Sequence, residues 1–306
     1  MTALWSACRK ASTNCEFAAA GAHPAAAIRH GPSAHQRLKP QPTRRYCDVP
    51  EALPKLPYRA MLGDVRGCLA NIGRIFGYYG DGESGCRGIG FQAGPDRYFI
   101  KHVVNDRGQA SQLRAIEVHA RVQHPTLVPL IQTFEGDMGP ILAYPWVDGQ
   151  PLRHSLQMTT QPLSVVLRAI HDVVDLHKAI DAAGFVSIDL YDGNLLFGEK
   201  IWLIDVDEYR LQPYVLNEPR TLGSTRFMAP EEFVQGSILD SRTMVYQLGR
   251  AMAVLLDPPS GQTADRCPEL SSIIGKATQA DPGYRYQKVE DLAADLELAL
   301  ARAGHF

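Results

Sequence analysis

The stretch from Gly184 to Glu208, GFVSIDLYDGNLLFGEKIWLIDVDE, constrains the fold more than any other part of the chain. Asp189, Asn194 and Asp205 each stand beside apolar, strand-forming residues. Carboxylates placed this way cost free energy unless something pairs with them. NLLF and IWLI flank GEK and read as a short hairpin turning at Gly198. That hairpin brings its two ends together, so Asn194 and Asp205 meet although eleven residues separate them. One amide and one carboxylate oxygen then share a site. This is an oxygen set that a hard, water-retaining ion such as magnesium accepts. Asp189 lies five residues before Asn194 on the incoming loop and faces whatever is held there.

The surroundings of this loop have a clear order. From about Leu62, NIGRIFGYY (71–79) reads as a strand entering the glycine-rich GDGESGCRGIGF (80–91), and RYFIKHVV (97–104) reads as a second strand. SQLRAIEVHARVQH (111–124) has helical spacing and stops at Pro125. TLVPLIQTFE and GPILAYPWV read as further strands. Beyond DGQPL the pattern turns helical. It runs through 162–184, closed by Gly184, then 243–256, 269–279 and 288–302. The predicted fold class is α+β: a small β-rich lobe with one main helix (61–147), then a larger helical lobe (148–306). A cleft between two such lobes is a common ligand site.

Composition excludes several classes. A chain of 306 residues with 45% hydrophobic content builds one large domain or two small ones. Its formal charge of −2 gives no global field for nucleic acid or an anionic membrane. The six cysteines form no CxxC pair and fit no zinc module. Scattered thiols of this kind imply a reducing, cytoplasmic setting. No uncharged apolar run reaches the ~18 residues of a spanning helix. Residues 1–46 carry seven Lys and Arg against the single acid Glu16, without the continuous apolar run of a signal peptide. Residues 1–60 are expected to be a tail, with Met61 a sensible alternative start.

The order and spacing of four motifs resemble the protein kinase family over roughly residues 65–300. These are YFIKH, SIDLYDGN, LIDVD and GSTRFMAPEE. The resemblance implies ATP and Mg2+ as cofactors and a Ser/Thr-type transfer of the γ-phosphate to a hydroxyl on a protein or small molecule. By resemblance, Lys101 pairs the nucleotide phosphates, Asp189 is the catalytic base, and Asn194 and Asp205 hold magnesium. Ser224 stands where a threonine touches the base. Tyr144 is the residue guarding the back of the base pocket, and Val147 lies in the segment that binds the base. Glu231 of Ala229-Pro230-Glu231 pairs with Arg285 of DPGYRY. Gly85, Gly88 and Gly90 are candidates for a loop over the phosphates, although a flexible hairpin turn explains them equally. The stretch is also similar to a group of bacterial kinase-like proteins.

Departures from the family pattern are specific. The helix glutamate that should pair with Lys101 is Ala115. Glu117 lies two residues on, roughly 200° around the helix, which leaves Lys101 loosely held or held by Asp205. Ser187-Ile188 replaces His-Arg before Asp189, Tyr191 replaces a lysine, and Met244 replaces an aspartate. Asp207 replaces a glycine. It is either a second metal-directed carboxylate or, slightly favoured, the partner of Arg210 or Arg226. Three readings follow: an active protein kinase, a pseudokinase, and a small-molecule kinase whose loop resembles DLYDGN. Ala229-Pro230-Glu231 and Arg285 weigh against the last.

Overall fold

The computed structural model describes residues 55–80, 84–153, 158, 160–221, 223–256 and 267–304. The folded part begins before the expected boundary at residue 60. Leu56 is buried. Its N–H donates to the side-chain carbonyl of Gln132 (2.9 Å), and the Gln132 amide donates to the carbonyls of Leu56 and Tyr58 (3.2 and 3.1 Å). Met61 is fully buried and its N–H donates to the Glu135 carbonyl (2.8 Å). Residues 55–60 therefore belong to the lobe that follows, which also makes Met61 an interior residue. The remainder of the expected tail, 1–54, lies outside the described residues.

The first lobe runs α1 (Val65–Ala70), β1 (Arg74–Tyr79), β2 (Cys86–Ala93), β3 (Asp96–Val103), α2 (Asp106–Arg121), β4 (Gln132–Phe134) and β5 (Ile141–Pro145). Its strands form one sheet in the order β1-β2-β3-β5-β4, and every pairing is antiparallel. The period of two divides β3 between the faces. Tyr98 and Ile100 pack with Leu56, Met61, Leu69 and Phe91 in a small outer core. Phe99 joins the main core, so it and Lys101 face the helical lobe. Helix α2 starts five residues before the predicted position. Asn105 caps it, its side chain accepting from the Arg107 N–H at 3.1 Å, and the polar first turn hid it from an apolar-spacing argument.

The second lobe contains β6 (Gln150–Pro151), α3 (Leu163–Ala182), β7 (Phe185–Ser187), β8 (Leu195–Phe197), β9 (Ile201–Leu203), β10 (Tyr209–Leu211), β11 (Tyr214–Val215), β12 (Ile238–Leu239), α4 (Ser241–Leu256), α5 (Pro268–Ala277) and α6 (Val289–Arg302). Helix α3 ends where Gly184 takes φ +85°, a conformation a side chain disfavours. The buried faces of α3, α4, α5 and α6 share one core with β7, β8 and β9. Strands β6, β7, β10, β11 and β12 had no sequence signal. Two or three residues are too few for an alternating pattern to register. The hairpin β8–β9 has Leu195 opposite Leu203. Leu203 also bridges to Leu127, and its N–H donates to the Thr126 carbonyl at 2.8 Å. The α2–β4 connection is thus docked on the helical lobe beside the hairpin. Among the described residues, no helix is long and apolar enough to cross a membrane.

Candidate active site

The hairpin delivers its polar ends to one place. Asn194, just before β8, donates its side-chain amide N–H to the Asp189 carbonyl at 2.9 Å. Its own carbonyl accepts from the Ile204 N–H at 3.0 Å. Asp205 follows directly and accepts from the Asp207 N–H at 3.2 Å. From the opposite lobe, Lys101 Nζ reaches Asp205 Oδ1 and Oδ2 (3.0 and 2.9 Å) and Asp207 Oδ2 (2.9 Å). Asp205 is therefore a partner of Lys101, which was one of the alternatives left open above. For Asp207 the favoured partners are corrected. Arg210 puts its side chain on Glu208 at 2.6 Å, and Arg226 pairs with Asp192. Asp205 and Asp207 flank the buried Val206 where the chain enters a turn at 207–208, and both carboxylates reach the same ammonium. Burial, and then the neighbouring Asp207 carboxylate, push the Asp205 carboxyl up to about 6 against the opposing pull of Lys101. Burial would lower Lys101, but the two carboxylates hold it well above its ordinary value.

Helix α2 reaches this segment by a route the sequence argument missed. Ala115 is buried and offers no charge, and Glu117 pairs with Arg121 one turn along α2 (2.6 Å). Arg114, the residue before Ala115, instead donates its Nε to the Asp207 carbonyl (2.7 Å) and its Nη2 to Glu208 Oε1 (3.0 Å). The Ser111 hydroxyl donates to the same Glu208 oxygen at 3.3 Å. The helix-to-loop tether thus exists with its charges exchanged, a base on the helix and an acid on the loop. The available signal was Glu208 directly after LIDVD, with a base adjoining the empty acid position.

Asp189 is buried. Gly223 has φ +100°, and a Cβ on it would lie 2.3 Å from Asp189 Oδ1, so Gly223 is the close neighbour of that carboxylate. Ser224 uses its carbonyl to accept from the Phe227 N–H at 3.0 Å. Tyr191 is buried and packed with Phe227 and Ala251, and the Arg153 guanidinium lies 5.9 Å from its ring centroid. Further down, Arg285 donates to both carboxylate oxygens of Glu231 (2.7 and 2.9 Å). Thr243 donates its hydroxyl to Glu231 Oε1 at 2.8 Å.

The glycine-rich segment is closely packed where the structure describes it. Part of the loop, residues 81–83, lies outside the described residues. Gly85 has φ +90°, and a Cβ there would lie 2.2 Å from the Gly108 nitrogen. Its absence lets β2 touch the first turn of α2. Gly88 lies under the Phe99 ring and Gly90 under the Phe76 ring. All three therefore have packing reasons that involve no phosphate. Tyr144 is buried with its ring centroid 5.6 Å from that of His119. Burial raises the Tyr144 hydroxyl and pushes His119 down to about 4. Val147 is half-buried at the edge of the main core, next to Trp146, whose backbone N–H donates to the Arg97 carbonyl (2.9 Å).

No protein-family profile matches the chain. Individual relatives do. It is 25% identical over 213 residues to the serine/threonine-protein kinase PknB of Mycolicibacterium smegmatis, covering 58% of this chain and 34% of PknB. It is 23% identical over 228 residues to the probable serine/threonine-protein kinase SCO3848 of Streptomyces coelicolor, covering 63% of this chain and 33% of that protein. It is 24% identical over 164 residues to the putative serine/threonine-protein kinase R436 of Acanthamoeba polyphaga mimivirus, covering 50% of this chain and 59% of that protein. The matched stretch spans about a third of the first two relatives. With the bilobal α+β architecture, these similarities support membership of the protein kinase superfamily.

Proposed function

We propose that this chain transfers the γ-phosphate of ATP to a hydroxyl group, in the manner of the Ser/Thr protein kinases it resembles. One observation carries the reading. A single ammonium, Lys101, faces two carboxylates at the mouth of the cleft. The nearby arginines Arg114 and Arg210 are engaged with Glu208. A half-buried place with more carboxylate than cation attracts a further cation. Among the described residues, no group of three or more His, Cys, Asp and Glu side chains is arranged to hold a metal. The oxygens offered are the Asp205 and Asp207 carboxylates and the side-chain carbonyl of Asn194, hard donors that suit magnesium, which keeps several waters. Asn194 and Asp205, with Asp207 beside them, would hold the ion, and it supplies neutralisation of phosphate charge.

The chain's own residues have the remaining roles. Lys101 exchanges its carboxylate partners for phosphate oxygens. Asp189 orients the acceptor hydroxyl and accepts its proton. The bond from the Asn194 amide to the Asp189 carbonyl keeps the two residues in fixed relation. Glu231 and Arg285 hold the segment that presents the acceptor. A second reading, a pseudokinase that holds its ligands without turnover, is favoured by Tyr191, whose ring is buried in place of a phosphate-directed lysine.

The test is transfer of labelled γ-phosphate to the protein itself or to a generic protein substrate, in wild type and Asp189→Asn. Wild type is expected to transfer, and the variant to lose about 10²–10⁴-fold, the range of a positioned general base. Absence of transfer together with no rise in melting temperature at millimolar Mg-ATP overturns the reading. A melting shift without transfer supports the pseudokinase, and transfer to a small alcohol alone supports a small-molecule kinase.

A further inference from the structure

The phosphate end and the base end of the cleft are built from opposite materials. Phe99 sits two residues before Lys101 on the same face of β3 and is paired with Tyr144 across β5. By the resemblance drawn above, a donor whose phosphates lie at Lys101 has its base against residues 145–147, and Phe99 lies beside that segment because Tyr98 pairs with Pro145 and Phe99 with Tyr144. That place is filled. Phe99 is only 6% exposed. Its ring centroid is 5.9 Å from that of Tyr79, Tyr79 is 5.7 Å from Trp146, and Trp146 is 4.9 Å from Phe76. The layer is continuous from the lysine to the interlobe connection.

Strand β2 is fitted to these rings. A Cβ on Gly88 would lie 2.3 Å from Phe99 Cζ, and one on Gly90 would lie 2.5 Å from Phe76 Cε2. Real side chains do not approach so closely, so both positions lack a Cβ because rings occupy the space. Phe99 is buried and Phe76, Tyr79 and Trp146 are half-buried beside it, so the rings themselves take the space in which a purine would stack. Resting on the ATP reading above, we propose that Phe99 is the protein's own occupant of the base slot. The site then grips the triphosphate of its donor and does not discriminate the base attached to it.

The test is calorimetric binding of Mg-ATP, Mg-GTP and Mg-tripolyphosphate to wild type and to Phe99→Ala, with Phe99→Leu as the second variant if the alanine protein does not fold. Wild type is expected to bind the three within about threefold of one another. Opening the slot is expected to tighten Mg-ATP at least tenfold and to leave tripolyphosphate unchanged. A wild type that prefers Mg-ATP to tripolyphosphate tenfold or more overturns the inference and leaves the ATP reading standing. Equal gains for ATP and tripolyphosphate in the variant also overturn it. If no ligand binds either protein at millimolar concentration, the ATP reading falls and the inference falls with it.

Discussion

Two buried charge clusters in this molecule differ in one respect. Around Arg285 every donor is used. Nε donates to the Gln279 carbonyl, Nη1 to Glu231 and the Arg242 carbonyl, and Nη2 to Glu231 and the Ala280 carbonyl. Its guanidinium also lies 4.8 Å over the Tyr246 ring, and its side chain has no solvent exposure. Around Lys101 the ammonium is shared by two carboxylates, and the Asp205 side chain remains 24% exposed. The first cluster is complete and can only hold things in place. The second has negative charge in excess and an open side, the arrangement of a place meant to receive something. Charge pairs alone do not separate scaffold from site; the count of partners left over does.

Removing Arg285 breaks this comparison most directly. Arg285→Ala leaves the half-buried Glu231 without its base, which costs about 3 kcal/mol. Chemical denaturation should show that loss, and no addition of Mg2+ should restore it. His177 sharpens the comparison as a second saturated group. Its Nδ1–H donates to the Val173 carbonyl (2.7 Å) and its Nε2 accepts from the Tyr209 hydroxyl (2.9 Å). Burial pushes it down to about 4. Its folded value therefore lies below its unfolded one. The stability it supports is full above about pH 6.5 and is lost as pH falls towards 4, up to about 3 kcal/mol across that window. His177→Gln should flatten this part of the stability–pH curve, as measured by melting temperature. Lys101→Met is expected to have the smallest effect on folding, about 1–3 kcal/mol, because the open side admits water and ions to the exposed carboxylates. It should nevertheless abolish phosphate transfer, and Mg2+ should recover part of its lost stability by binding the native state. A Lys101→Met protein as damaged as Arg285→Ala, and equally deaf to Mg2+, would erase the distinction between the clusters.

What the sequence could disclose follows from the range of the interactions. The hairpin carrying Asn194 and Asp205 is local, and Gly198 with its apolar flanks was enough to foresee it. Long helices such as α3 and α6 were equally visible through their periodicity. Lys101 meeting Asp205 spans 104 residues and entered only through the family resemblance, as one of two alternatives. The Arg114–Glu208 tether spans 94 residues and contradicts the usual placement of charge, so no local pattern announced it. The glycines at 85, 88 and 90 were open to more than one reading for a physical reason. An absent side chain can mean a tight turn, a close ligand or a ring packed overhead, and only coordinates tell these apart. Strands of two and three residues, and the early start of α2 behind Asn105, fell below what periodicity can register.

The docking of the α2–β4 connection has a mechanical consequence. His124 donates its Nε2–H to Asp175 of α3 (3.1 Å) while its Nδ1 accepts from the Thr126 N–H (3.1 Å). Leu127 and Thr126 are bound to Leu203 of the hairpin. The C-terminal end of α2 is thus pinned to the helical lobe, and its N-terminal end is carried by the sheet. The helix is a lever with its fulcrum near His124. Arg114 sits on it about 10 Å before Arg121 at ~1.5 Å per residue. Any rotation of the sheet over the helical lobe is therefore delivered, through Arg114, as a pull on the Asp205–Asp207 segment.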